Sequence, residues 1–134
     1  MQTLLMVAIA FHVLPGVFWA GTTLALARTS GAGAQRLAYP QMGAATVAVL
    51  AGAALWGLTH RFGFGATEQV LAFGAGCAIL AAAVQGFALP TVRHLTTARD
   101  AEATRLQARI AFAQRIAAGL LAITVICMAV ARYV

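Results

Sequence analysis

The chain has 134 residues, of which 62% are hydrophobic and only 9% charged. Soluble domains average about 25% charged residues, so this chain has too few charges to cover a surface that faces water. Its net charge of +6 comes from nine arginines that lie in the polar gaps between apolar runs rather than along one soluble face. The composition excludes an ordinary soluble domain, argues against a nucleic-acid partner, and predicts that membrane lipid is the main solvent.

The first apolar run, residues 3–27, is long enough to cross a hydrocarbon core, which takes about 20 residues. It lacks a basic start and is longer than the apolar part of a signal peptide, which is about 7–15 residues, so we expect a retained span. Further spans are predicted at about 40–59, 68–89 and 110–131, in a single transmembrane domain of residues 1–134.

Prolines and helix formers refine these spans. Pro15 is expected to bend the first helix, Pro40 fits the first turn of the second, and Pro90 is expected to kink or end the third. Residues 100–109 contain good helix formers and no helix breaker, so they are predicted to extend the fourth helix at its start.

Arginine placement predicts the orientation, because arginine-rich loops stay in the cytoplasm. The gaps 28–39 and 90–109, with the start of the fourth span, hold seven of the nine arginines. We therefore expect both gaps to be cytoplasmic loops and both termini to lie outside. Short connections make neighbouring helices antiparallel, so the predicted fold is an all-α integral membrane four-helix bundle with up-down-up-down topology.

Small residues and buried polar residues indicate how the helices pack. Rows of small residues spaced by four predict close helix contacts: Gly74, Ala78, Ala82 and Gly86; Ala44, Ala48 and Gly52; Ala118 and Ala122. A set of polar residues in the cytoplasmic half is expected to hydrogen-bond between helices: Thr22, Thr23, Gln41, Gln85, Gln114 and Arg115.

His12 is the best candidate for chemistry in the chain. It lies about nine residues into the first span, or roughly 13 Å deep, where an ionisable side chain normally faces a partner, a cavity or a cofactor. Gly16 and Ala20 follow at i+4 and i+8, so this helix face is flat enough for a neighbouring helix or for a haem with the imidazole as axial ligand. A neutral histidine bonded to a neighbouring helix and a haem ligand both remain open.

A second haem ligand would come from His60, which lies on the same outer side near the membrane edge, or from another subunit. A haem held by one histidine is equally open. His94 lies on the cytoplasmic side beside Arg93, too far from His12 to share one iron, and is expected to be solvated.

Soft donors offer a different site. Cys77 is roughly level with His12, and Cys127 and Met128 lie in the outer half of the fourth span. With His12, and with Met6 nearby, these residues could hold copper(I), or they could be apolar filler. No acidic residue lies deep in a span, which argues against proton-coupled antiport.

The first span also resembles a known pattern. His12 followed by Trp19-Ala20-Gly21 is similar to the first helix, His then Trp-x-Gly, of small bacterial CopD-like membrane proteins, and to the four-helix b-type haem proteins that include the HemJ-type oxidases. The resemblance covers the first span and, loosely, the four-span layout and the ending Met128–Tyr133. It implies a bacterial inner-membrane protein with His12 as haem or metal ligand. HemJ-type enzymes also rely on a lysine in a later helix, and this chain has no lysine.

Three functions therefore remain open. The leading hypothesis is a membrane protein that binds haem b through His12, beside Gly16 and Trp19, with a redox or electron-transfer role. The alternatives are a non-catalytic accessory subunit of a larger membrane complex or homo-oligomer, and a copper-handling protein. Whether the chain is an enzyme stays open.

Overall fold

A computed structural model of the chain describes residues 2–59 and 65–134. The described part consists of four long helices, followed by a short 3-10 turn at Ala131–Tyr133: α1 (Gln2–Arg28), α2 (Ala34–Thr59), α3 (Ala66–Leu95) and α4 (Asp100–Val130). Each helix packs against the next, and α4 also packs against α1. The predicted all-α four-helix bundle is confirmed, and all four helices are long and apolar enough to span a bilayer.

The buried positions follow a heptad pattern, in which steps of four and three alternate. The pattern is clearest in α2, with Ala34, Ala38, Gln41, Ala45 and Ala48, and in α4, with Ile110, Gln114, Ala117, Leu121 and Thr124. In α3 it runs through Gly74, Ala78, Ala81 and Gln85. Such spacing keeps one seam facing its neighbours and is typical of left-handed bundles that cross at about 20°.

The heptad spacing corrects the predicted rows of small residues. Gly74, Ala78 and Ala48 lie in the core as expected, but Ala82 and Gly86 are only half-buried and Ala122 is exposed. A row spaced strictly by four drifts around the helix because one turn takes 3.6 residues. After Ala78, the buried residues of α3 are therefore Ala81 and Gln85 rather than Ala82 and Gly86.

Size also separates the inside of the bundle from the outside. The core consists mostly of alanine, whereas large side chains lie outside: Phe87 is 85% exposed, Leu14 71% and Phe11 60%. In water so many exposed apolar side chains would form patches that promote aggregation. In a bilayer they meet acyl chains, while small residues let the helices approach closely. The chain is thus an integral membrane protein by length, composition and packing.

Pro40 does not mark the start of α2, and Pro90 does not end α3. α2 begins at Ala34, so Pro40 lies inside the helix rather than in its first turn, and α3 continues past Pro90 to Leu95. α1 likewise runs through Pro15. Membrane helices tolerate interior proline because neighbouring helices hold the segment in place. α4 begins at Asp100, so the predicted helical extension over 100–109 is confirmed.

The connection between α1 and α2 is a tight motif that packs on α4. The amide of Gly31 donates to the carbonyl of Leu26 at 2.8 Å, and Ser30 has φ +52°, as in a Schellman cap. Gln107 Nε2 donates to the Ser30 carbonyl at 3.3 Å. A Cβ at Gly31 would lie 3.3 Å from Ile110 Cγ2, so the loop lies directly on α4.

The most extensive helix contact described lies between α3 and α4. Thr124 Oγ1 donates to the Gly74 carbonyl at 2.9 Å, and a Cβ built at Gly74 would lie 2.8 Å from Cys127 Cβ. Since neither of these two atoms can move without its backbone, only glycine fits at position 74.

We predict that Gly74→Ala destabilises the bundle by about 1–3 kcal/mol, because overpacking forces α3 and α4 apart. Gly76→Ala is the matched control, since a Cβ there meets no atom within 4 Å; it should be neutral or stabilise by about 0.5–1 kcal/mol. Reversible unfolding in detergent micelles measures both variants. Equal stability of the two would contradict the close approach.

Candidate functional site

Polar side chains from all four helices meet in the bundle core. Gln41 of α2, Gln85 of α3 and Gln114 of α4 surround Thr23 and Trp19 of α1, and all five are buried. The three glutamines and Thr23 are linked by hydrogen bonds: Gln41 Nε2 and Gln85 Nε2 each donate to Thr23 Oγ1 at 2.9 Å, Gln85 Nε2 donates to Gln114 Oε1 at 3.0 Å, and Gln114 Nε2 donates to Gln41 Oε1 at 3.2 Å. We call these five residues the glutamine network.

Trp19 is the aromatic member of this network. Its indole Nε1 donates to Gln85 Oε1 at 2.6 Å, and Thr23 Oγ1 donates to the Trp19 carbonyl at 2.7 Å. Within the described residues, no buried side-chain nitrogen or oxygen lacks a hydrogen-bond partner. The network is fully satisfied and therefore works as a brace between the helices.

The predicted interhelical bonding of these polar residues is largely confirmed. Thr22 also takes part, as an acceptor for Gln41 Nε2 at 3.4 Å. Arg115 does not, because it lies on the exposed side of α4. Trp19 was predicted to lie beside a haem and not to join these bonds, although its position one turn before Thr23 places both on one helix face.

We predict that Gln85→Ala lowers the free energy of unfolding by about 1–3 kcal/mol, because it leaves the buried Trp19 indole without an acceptor. Gln69→Ala is the control: this residue lies on the same helix but is exposed, and its loss should change stability by under about 0.5 kcal/mol. Tryptophan fluorescence during unfolding in micelles reports on both. A Gln85→Ala protein as stable as Gln69→Ala would rule out the brace.

His12 forms a second, separate site, between α1 and α2. Its side chain is half-buried, and Nδ1 lies 2.7 Å from the carbonyl oxygen of Ala48. Because a carbonyl only accepts hydrogen bonds, Nδ1 is the nitrogen that carries the proton. This fixes the tautomer, and in the neutral ring Nε2 keeps its lone pair.

Gly52 makes this contact possible. A Cβ at position 52 would lie 2.9 Å from His12 Cε1 and 3.1 Å from Nδ1. The Ala48 carbonyl is also the acceptor that the amide four residues later, at Gly52, uses within α2, and its second lone pair is free for His12. The bare backbone at Gly52 thus lets the imidazole reach a carbonyl that a side chain would cover.

The other predicted ligands are spread over the bundle. Gly16 is half-buried, and a Cβ there would meet no atom within 4 Å, so the space beside it is open. Cys77 is buried on α3, Cys127 is half-buried against Gly74, and Met128 is 40% exposed. His60 lies outside the described residues.

His12 and the two cysteines of the predicted copper site lie apart. Across residues 2–59 and 65–134, no three His, Cys, Asp or Glu side chains come together as a metal-binding group. His12, Cys77 and Cys127 therefore do not form a shared ligand set. His12 is left as a single donor whose other ring nitrogen is already held by the protein.

Comparison of the sequence and the fold with protein-family models, curated proteins and solved structures finds no match. The similarity of the first helix to CopD-like and HemJ-type proteins stays a prediction. The functional assignment consequently depends on the geometry around His12.

Proposed function

We propose that this membrane protein binds a b-type haem through Nε2 of His12 and serves in electron transfer. The observation that supports the proposal is the hydrogen bond from His12 Nδ1 to the Ala48 carbonyl. Histidines that ligate metals almost always donate their other ring N–H to a carbonyl, a carboxylate or water, which fixes the ring and raises its basicity.

The surroundings of His12 fit a flat macrocycle. One turn along α1, the space at Gly16 is open, and the neighbouring outer positions Phe11 and Val13 are apolar and exposed. Haem needs an apolar surface for its ring and a ligand nitrogen whose lone pair is not already taken by a hydrogen-bond donor. When bound, it would supply a one-electron redox centre within the bilayer.

The protein's own part is to hold the ligand. Ala48 orients the imidazole, Gly52 makes room for it, and the glutamine network fixes α1 against α2. His94, the other histidine that the structure describes, is exposed at the C-terminal end of α3. This is the opposite end of the bundle from His12, so His94 cannot bind the same iron. A haem held by His12 alone and one with a further ligand from His60 or from another copy of the chain are both compatible with the proposal.

The first test is an absorption spectrum of protein purified from haem-replete cells. We expect a Soret band in the wild type, its loss in His12→Ala, and an unchanged band in His94→Ala. A wild type without haem after reconstitution, or a His12→Ala protein that keeps its band, contradicts the proposal. Copper analysis of the same samples tests the copper alternative, in which the wild type would carry copper and His12→Ala would lose it.

A second test moves the ligand without removing it. We expect Gly52→Ala to lower haem retention at least about tenfold and to shift the Soret band, because its Cβ pushes on the imidazole. Changes to the groups that orient a metal ligand typically lower the affinity for the metal by about 10–100-fold. Gly43→Ala, on the same helix, meets no atom within 4 Å and should behave as wild type. If both variants bind haem equally, the orientation of His12 by α2 is irrelevant to ligation.

A further inference from the structure

An apolar groove runs along the bundle between α2 and α3, the two neighbouring helices with the least extensive contact. Its walls are formed by Met42, Thr46, Val49, Leu50, Ile79 and Ala82. The one hydroxyl among them is already used, since Thr46 Oγ1 donates to the Met42 carbonyl at 2.9 Å. The groove therefore offers an apolar surface with no free polar group.

One end of the groove leads to a fixed guanidinium group. Tyr39 lies three residues before Met42, roughly one turn or about 5 Å further along α2. Arg93 of α3 donates from Nε to the Tyr39 hydroxyl at 2.7 Å, and its guanidinium carbon lies 5.8 Å from the Tyr39 ring centroid. An Arg that stacks on an aromatic ring and bonds through Nε keeps its Nη groups available to bind a phosphate.

The charge at this end favours an anion. Seven of the nine arginines lie there, against only two acidic residues, Asp100 and Glu102. Arg36 precedes Tyr39 by three residues, so it shares the same face of α2. Arginine clusters at the end of membrane helices attract anionic lipids.

The size of the groove selects the occupant. From Met42 to Leu50 it extends over eight residues, or about 12 Å, and the pair of Tyr39 and Arg93 lies about one turn beyond its Met42 end. A transmembrane helix of a partner would need about 30 Å of surface. A single acyl chain whose headgroup lies at Arg93 needs only the groove and the guanidinium.

We propose that the groove and Arg93 together bind one anionic phospholipid, with an acyl chain between α2 and α3 and the phosphate on the Arg93 guanidinium. The site is independent of His12 and of haem. It differs from general contact with the bilayer because it combines a shaped apolar surface with one positioned charge.

Native mass spectrometry of delipidated protein in micelles tests the site, with phosphatidylglycerol and phosphatidylcholine of the same acyl chains as probes. We expect the wild type to retain one phosphatidylglycerol at least about tenfold more tightly than phosphatidylcholine, and Arg93→Gln to lose about tenfold in affinity. The matched control is Arg132→Gln, since Arg132 also stacks on a tyrosine, at 5.2 Å from the Tyr133 ring centroid, but lies at the other end of the bundle. Equal losses in both variants would mean diffuse charge attraction and would overturn the site.

The groove is tested separately. Thr46→Phe should fill it from an exposed position and weaken phosphatidylglycerol retention at least about fivefold, whereas Val47→Phe, exposed but outside the groove, should not. Glycerol phosphate, which has the phosphate but no acyl chain, should compete poorly. If it competes as well as the lipid, or if Thr46→Phe binds normally, the acyl-chain site is wrong. Thermal unfolding shows that each variant is folded.

Discussion

The register of the bundle depends on the hydrogen bond that Gln41 Nε2 donates to Thr23 Oγ1. In antiparallel helices, one paired position fixes all the others. His12 lies eleven residues before Thr23, and Gly52 lies eleven residues after Gln41, so the pairing that the network sets also brings Gly52 opposite His12. A slip of one residue would rotate a side chain onto the imidazole. The glutamine network and the contact between His12 and Gly52 therefore depend on the same register of α1 against α2.

This dependence suits the energetics of a membrane protein. Lipid tails are as apolar as the core, so burial of apolar side chains does little to choose one helix arrangement over another. Three glutamines that must find one another, with a threonine and an indole, exclude most alternative registers. Alanine and glycine then allow the close packing that the network demands, and large side chains are left for the lipid.

The fold could be predicted because hydrophobic runs and turn residues are local signals. The interhelical role of Gln41, Gln85 and Gln114 was also predictable, since buried amides in lipid need partners. The places of Trp19 and Gly52 were not. Each depends on how far one helix is rotated and shifted against another, and this follows from the packing of the whole bundle. The helix start predicted at Pro40 and the helix end that Pro90 could mark did not occur, because a membrane helix continues through proline where its surroundings satisfy the freed backbone carbonyl.

The acceptor for His12 belongs to the backbone rather than to a side chain. Any amino acid at position 48 presents the same carbonyl, so drift at that position changes the shape of the contact and leaves the hydrogen bond intact. The only residues whose identity the site requires are then a histidine on one helix and a glycine on the next, each eleven residues from its member of the Thr23 and Gln41 pair. Such a site would be nearly invisible as a sequence motif, yet it could recur in bundles of unrelated sequence wherever that spacing arises.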